Sequence, residues 1–315
     1  MAKSLGGFRA ALLTGWILLS AFGVLYARAK GIPLPAALPV LAAFCVQFPF
    51  YLAAGFPAVR ERLAGRMLPI WLIAATLLPY LICCCGAIPF DFTAFLRLAA
   101  VAAAWSLWYI VLPAGRLTDL AFLALTGAVS LGRYFDFVYP IFHREHLATI
   151  GRISLFIVSI LVLMLQRRVA ETGFGFWPRV RDWRIGALHF LYFLPIGAAL
   201  AFLLKATHFV APRPIWVPVA MFFAFLWVVG LWEEFLVRGV FQQWLEDWTA
   251  SPQIALLLAS AVFGLVHYFY RGWSWVPLAG ALGWFCGRAR NQAGDIRAGL
   301  VTHALTVALW RAFLW

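Results

Sequence analysis

The chain has 315 residues, 64% of them hydrophobic and only 12% charged, with a net charge of +13. Soluble domains hold about 45–50% apolar and about 25% charged residues, so a water-soluble fold is excluded. The apolar stretches are too long for barrel strands, and lipid offers backbone groups no partners. Spanning segments must therefore be helices, and the expected fold is an all-α polytopic membrane protein.

Taken in chain order, the apolar segments predict about eleven transmembrane helices. They cover roughly 10–27, 33–56, 67–88, 93–112, 118–132, 152–166, 185–204, 214–236, 253–270, 273–288 and 298–314. Lys3 and Arg9 precede the first segment, and Ala27-Arg28-Ala29 reads like a cleavage site. The run is long for a signal peptide and more spans follow, so an uncleaved first helix is expected.

The positive charge reads as topology, because cations collect on the cytoplasmic side and meet anionic lipid. With the N-terminus inside, the inner loops hold Arg60, Arg62, Arg66, Arg116, Arg167, Arg168, Arg179, Arg181, Arg184, Arg288, Arg290 and Arg297. The outer loops hold fewer: Arg28, Lys30, Arg133, Arg144, Arg152, Lys205 and Arg213. A nucleic-acid partner needs a soluble basic face, and the sequence offers none. The five cysteines, Cys45, Cys83, Cys84, Cys85 and Cys286, all lie in apolar runs without zinc-finger spacing. They are read as free thiols, with palmitoylation of the triplet as the alternative.

The longest polar connection is "QRRVAETGFGFWPRVRDWR". It divides the chain into an N-terminal transmembrane extension at 1–166, a cytoplasmic loop at 167–184 and a core at 185–315. The core carries nearly all the ionisable groups expected inside the membrane. Such groups are costly in lipid and are functional candidates by default.

Glu233 and Glu234 end an uncharged run in "VVGLWEEFLVRGVFQQWLEDW". Neighbouring residues of a helix point about 100° apart, so the two acids are not expected to face one point. Glu234 and Arg238 are four apart in the favourable order for an ion pair. Glu233 is then left free to exchange protons. His267 lies on the next helix and His303 on the last, each by itself a structural histidine as readily as a catalytic one. Together, a carboxylate and two imidazoles on facing helices make a bundle site. No serine elbow, cysteine nucleophile motif, H-E-x-x-H or nucleotide loop is present. What remains is water activated by a carboxylate and imidazoles, that is, direct amide hydrolysis with no cofactor.

Glu233-Glu234-x-x-x-Arg238-Gly239 resembles the E-E-x-x-x-R motif of the CPBP family, the CAAX-protease and bacteriocin-processing (Abi) intramembrane glutamic endopeptidases. Phe263-x-x-x-His267 resembles the second family motif. "LAGALGWFCGRARNQAGDIRAGLVTHALTVAL" resembles the third region, and the likeness covers roughly 186–314. The resemblance implies that Glu233 is the general base with His267 assisting. It implies that Glu234 and Arg238 support the site or contact substrate, and that His303 helps form an oxyanion hole. The family usually carries Asn or Asp four residues after the last histidine. Here Val307 stands there. Thr306 on nearly the same face is a substitute donor, or a helix threonine bonded to its own backbone.

The implied activity is cleavage of a membrane-associated protein or peptide: a CAAX-like tail, a bacteriocin precursor or a C-terminal sorting tag. Two other readings stand beside it. One is a non-catalytic scaffold or immunity-type protein that retains the motifs. The other is a zinc peptidase with Glu233, His267 and His303 as ligands. Leu/Ala/Trp/Arg-rich, lysine-poor usage suggests a bacterial inner membrane with the N-terminus cytoplasmic. The oligomeric state is not legible.

Overall fold

Every apolar segment folds as helix, because in lipid the backbone must close its own hydrogen bonds. The computed structural model describes residues 2–143, 145–211 and 213–314. Met1, Arg144 (read above as an outer-loop cation), Pro212 and Trp315 lie outside the described residues. The helices form two compact units, Met1–Val169 and Ala170–Trp315.

The first unit holds α1 (Ala2–Ala29), α2 (Leu34–Ala54), α3 (Pro57–Leu63), α4 (Leu68–Cys83), α5 (Phe92–Val111), α6 (Arg116–Leu131) and α7 (Ala148–Leu165). A short 3-10 turn and a two-stranded hairpin, β1 (Ile141–Phe142) and β2 (Glu145–His146), lie between α6 and α7. Helix α7 is the core of this unit, with Ile150 and the run Leu155–Leu163 inside. Its polar positions are met locally: Gln47 Nε2 donates to Ile150 O at 2.9 Å and to Ser154 Oγ at 2.7 Å. At the hairpin, the Tyr26 hydroxyl bonds Glu145 at 2.7 Å and Lys30 pairs with it at 3.1 Å. The Tyr26 hydrogen bond first, then that of Lys30, holds the Glu145 carboxyl below the usual carboxylate range.

One ion pair locks three helices of this unit. Arg167 grips Asp119 through two bonds of 2.8 Å, and the Tyr109 hydroxyl adds a third at 2.9 Å. Asp119 is buried, so removing it takes away both Arg167 bonds and the Tyr109 bond from the interior of the unit. Asp119→Ala is expected to cost about 2–3 kcal/mol of stability. Thermal unfolding of the purified protein in detergent checks this, and an unchanged midpoint would contradict it.

The second unit holds α8 (Val180–Leu203), a long helical run Trp216–Thr249, α12 (Pro252–Arg271), α13 (Trp275–Ala293) and α14 (Ile296–Phe313). The run comprises α9 (Trp216–Trp227), α10 (Val229–Glu234), a π-helical turn (Phe235–Phe241) and α11 (Gln242–Thr249). Helix α13 packs on α8, α12 and α14, and α14 also packs on α9. Glycines 272 and 294 end α12 and α13 at positive φ of 79° and 69°, conformations a side chain would strain. Asp295 then caps α14 by accepting from Arg297 N at 3.0 Å.

One expectation is corrected. Among the described residues, seven helices are long and apolar enough to cross a membrane, or up to eight if the bent pair α3 and α4 is one span, rather than about eleven. Helix α6 has 16 residues. At about 1.5 Å per residue it falls short of the roughly 30 Å hydrocarbon core. Helices α13 and α14 carry Arg288, Arg290, Arg297, His303 and Arg311, which lower their apolar character. Within the 167–184 connection, α8 begins at Val180. Its earlier residues lie on the π turn: Phe174 meets Phe235 edge to face at 5.5 Å, and the Trp227 indole donates to Phe176 O at 3.0 Å.

Candidate active site

The site is built on close helix crossings that need small residues. A Cβ on Gly186 of α8 would lie 2.5 Å from Ala298 O, so α14 approaches α8 to backbone contact there. Thr302 Oγ1 donates across that crossing to Gly186 O at 2.9 Å. A Cβ on Gly299 would lie 2.7 Å from Cys286 O and 3.0 Å from Glu234 Oε2. Gly299 therefore opens the place where Glu234 sits, one turn before His303.

The acidic pair stands where the helical run changes character. Val228 leaves helical geometry (φ −130°, ψ −82°), and α10 restarts just before the acids. The π turn follows directly and carries Arg238. Wide turns of this kind are rare and often occur at functional sites. No periodicity in the sequence signals it.

His303 is the hub. Its Nδ1–H donates to Glu234 Oε1 at 3.1 Å, and its Nε2 lies 3.7 Å from Glu233 Oε2. Adjacent acids were not expected to converge. They do, because the two imidazole nitrogens receive one each and a glutamate stem is long enough to span the angle. The second distance is in ion-pair range but too long for a formed hydrogen bond. Phe225 and Phe263 flank the ring, each with its centroid 5.7 Å away.

Glu234, Arg238 and His303 are buried, whereas the Glu233 side chain is 23% exposed. The ion pair read from spacing is present: Arg238 Nε lies 3.5 Å from Glu234 Oε2. The guanidinium sits 5.2 Å from the Phe263 ring centroid. A Cβ at Gly283 would come within 2.9 Å of Nη2 and 3.1 Å of Phe263 Cδ1, so α13 needs glycine there.

His267 is half-buried and stands beside this group rather than in it. Its Nδ1 is bonded to Phe263 O at 2.8 Å, and its ring lies 4.8 Å from that of Phe263. A carbonyl can only accept, so Nδ1 carries the proton and Nε2 is left as the acceptor. Phe263 thus spaces the two histidines. Thr306 Oγ1 donates to Thr302 O at 2.8 Å, the backbone bond that was one of its two readings.

The zinc set Glu233, His267 and His303 is not assembled as a three-ligand group. Among the described residues, the trio with ligand atoms within 4.8 Å of one another is Glu234, Cys286 and His303, all buried. Arg238 already pairs with Glu234 there, which disfavours a cation. Sequence reasoning missed Cys286, Gly283 and Gly299. Small residues facing a charge leave no periodic mark; only the glycine content of "AGALGWFCG" hinted at close packing.

An all-α, multi-pass integral membrane protein with buried acids and imidazoles on facing helices defines a membrane-embedded polar site. Residues 214–309 match the family described as Type II CAAX prenyl endopeptidase Rce1-like. That stretch contains every site residue named above except those of α8 and the connection before it. The match is consistent with the CPBP resemblance and supports a membrane peptidase activity in general. Compared with curated proteins and with solved structures, the chain finds no match.

Proposed function

We propose that the C-terminal unit hydrolyses a peptide bond near the end of a membrane-associated protein or peptide. The observation that carries the reading is the meeting of a partly exposed Glu233 with buried His303 at 3.7 Å, beside a Glu234 fixed by Arg238. Glu233 accepts a proton as water adds to the scissile carbonyl. His267, with Nε2 free to accept, orients that water. His303, held by Glu234, presents Nε2 toward the developing oxyanion when that nitrogen carries a proton. Collapse of the tetrahedral intermediate breaks the C–N bond, and the proton taken by Glu233 passes to the leaving amine. No covalent enzyme intermediate and no cofactor enter this scheme.

Candidate substrates are a CAAX-like tail, a bacteriocin precursor or a C-terminal sorting tag with its anchor. In a bacterial inner membrane, with the N-terminus cytoplasmic, the last two rank first, since prenylation is a eukaryotic-type modification. A scaffold that retains the motifs is the second reading. It is favoured by Val307 at the usual amide position and by Thr306 bonding its own helix.

Comparative proteomics of membrane fractions separates the two. Cells with wild-type protein are set against cells with Glu233→Gln at matched expression. Longer, unprocessed termini in the variant are expected. Identical profiles under conditions that express the substrates would move the reading to the scaffold. Val307→Asn tests the departure: a rise in processing rate is expected if the missing amide limits the oxyanion hole.

A further inference from the structure

Ahead of α8, the residues of the second unit make contacts that alternate along the chain. The even-numbered ones meet the helical run. Gln243 Nε2 donates to Ala170 O at 3.0 Å, and a Cβ on Gly239 would lie 2.9 Å from Thr172 O. Phe174 meets Phe235 edge to face at 5.5 Å, and Phe176 O accepts from Trp227 Nε1 at 3.0 Å. Positions 243, 239 and 235 are four apart and form one row on a helix, and Trp227 ends α9 where the run breaks.

The odd-numbered residues meet the start of α14. A Cβ on Gly173 would lie 2.9 Å from Ile296 N, and one on Gly175 would lie 3.5 Å from Arg297 Cδ. Trp177 O accepts from Arg297 Nη1 at 3.1 Å. The two spacings agree, because four residues of helix rise about 6 Å and two residues of chain reach at most about 7 Å. Residues 170–177 thus form a strap along the seam between the run and α14, opposite in direction to the run.

The strap is firmly seated. Thr172 is buried, and Glu171 is held at a φ of 49°, a conformation that costs a residue with a side chain. Strain of this kind persists where surrounding contacts over-determine it. The two elements it touches are the two that build the hub. Phe235 directly follows Glu234, and Arg297 stands six residues before His303 on α14. A shift of one element along the other would change the 3.1 and 3.7 Å separations between His303 and the acids.

We propose that the strap 170–177 is a positioning element of the candidate active site, and that its seating between the run and α14 sets how Glu233 and Glu234 meet His303. The effect on turnover rests on the peptidase reading. The effect on the two helices does not.

The test inserts one glycine after Phe174 in the full-length protein in nanodiscs, which puts Phe176 and Trp177 out of register. A glycine inserted between Val169 and Ala170, ahead of the strap, is the control for chain length. Hydrogen–deuterium exchange is read by mass spectrometry on peptides covering 229–241 and 296–304, beside the kinetics of peptide release. The first insertion is expected to speed exchange in both peptides about fivefold or more. It should lower kcat about tenfold or more, with KM and the unfolding midpoint nearly unchanged. The control should change neither. Gly239→Ala reads the same seating without changing chain length. Alanine ordinarily strengthens a helix over glycine, but here its Cβ meets Thr172 O, so kcat should fall about tenfold while the midpoint does not drop. Unchanged exchange, or equal effects of the two insertions, overturns the proposal. Faster exchange with unchanged kcat overturns the positioning role. If the first insertion unfolds the protein, an unchanged kcat in Gly239→Ala overturns it. Glu233→Gln should keep wild-type exchange while losing activity. If it stays active, the peptidase mechanism fails and the exchange still decides the strap.

Discussion

Glu233→Gln is expected to lower kcat by about a thousandfold while leaving KM and the unfolding midpoint nearly unchanged. The amide is isosteric but cannot accept a proton, and general base catalysis contributes about 10²–10⁴-fold. Glu233 is the partly exposed member of the acidic pair, and its buried neighbour His303 keeps its bond to Glu234 when that charge is lost. Glu234→Gln should behave differently. Glu234 is fully buried between His303 Nδ1 and Arg238, so its neutral form loosens the hub and leaves a guanidinium without its counter-charge. Activity and stability should then fall together. Mass spectrometric assay of released peptide, run beside thermal unfolding in detergent, reads both. A Glu233→Gln protein within threefold of wild type would mean that water is activated elsewhere.

Arg238→Met should have the largest effect on stability, about 3–5 kcal/mol. Removing one partner of a buried ion pair leaves an uncompensated charge, here the Glu234 carboxylate beside His303. The double variant Glu234→Gln/Arg238→Met should recover most of the loss, because a neutral, well-packed pair costs little. Arg238→Lys should not rescue, since a lysine ammonium cannot reproduce the flat group packed beside the Phe263 ring and Gly283. Equal midpoints for the single and double variants would show that Arg238 acts through packing rather than charge.

Much of the fold was legible in the residues. Long apolar runs with no charge specify helices in lipid, and the Glu234 to Arg238 spacing foretold their ion pair. The span count was overestimated because apolar character was read without length and polarity together: α6 is too short, and α13 and α14 carry arginines along the bundle. The separation of Glu233 from Glu234 was overdrawn, because a helical wheel places Cβ atoms and not the ends of long side chains. His303 has two nitrogens and collects both acids. Thr306 illustrates the same limit: its face was readable, but which of its two bonds it makes was not.

By itself, the sequence determined the solvent, the secondary structure and the residue types able to activate water, because burial of apolar area and backbone satisfaction are set locally. It also ordered the motifs that the family match covers. Only the tertiary structure decided which histidine meets the carboxylates, where the helical run widens into a π turn, and which glycines make room for a buried guanidinium. Those outcomes depend on the closest approach of helices distant in sequence. There, fractions of an ångström at Gly186, Gly283 and Gly299 settle which polar groups touch.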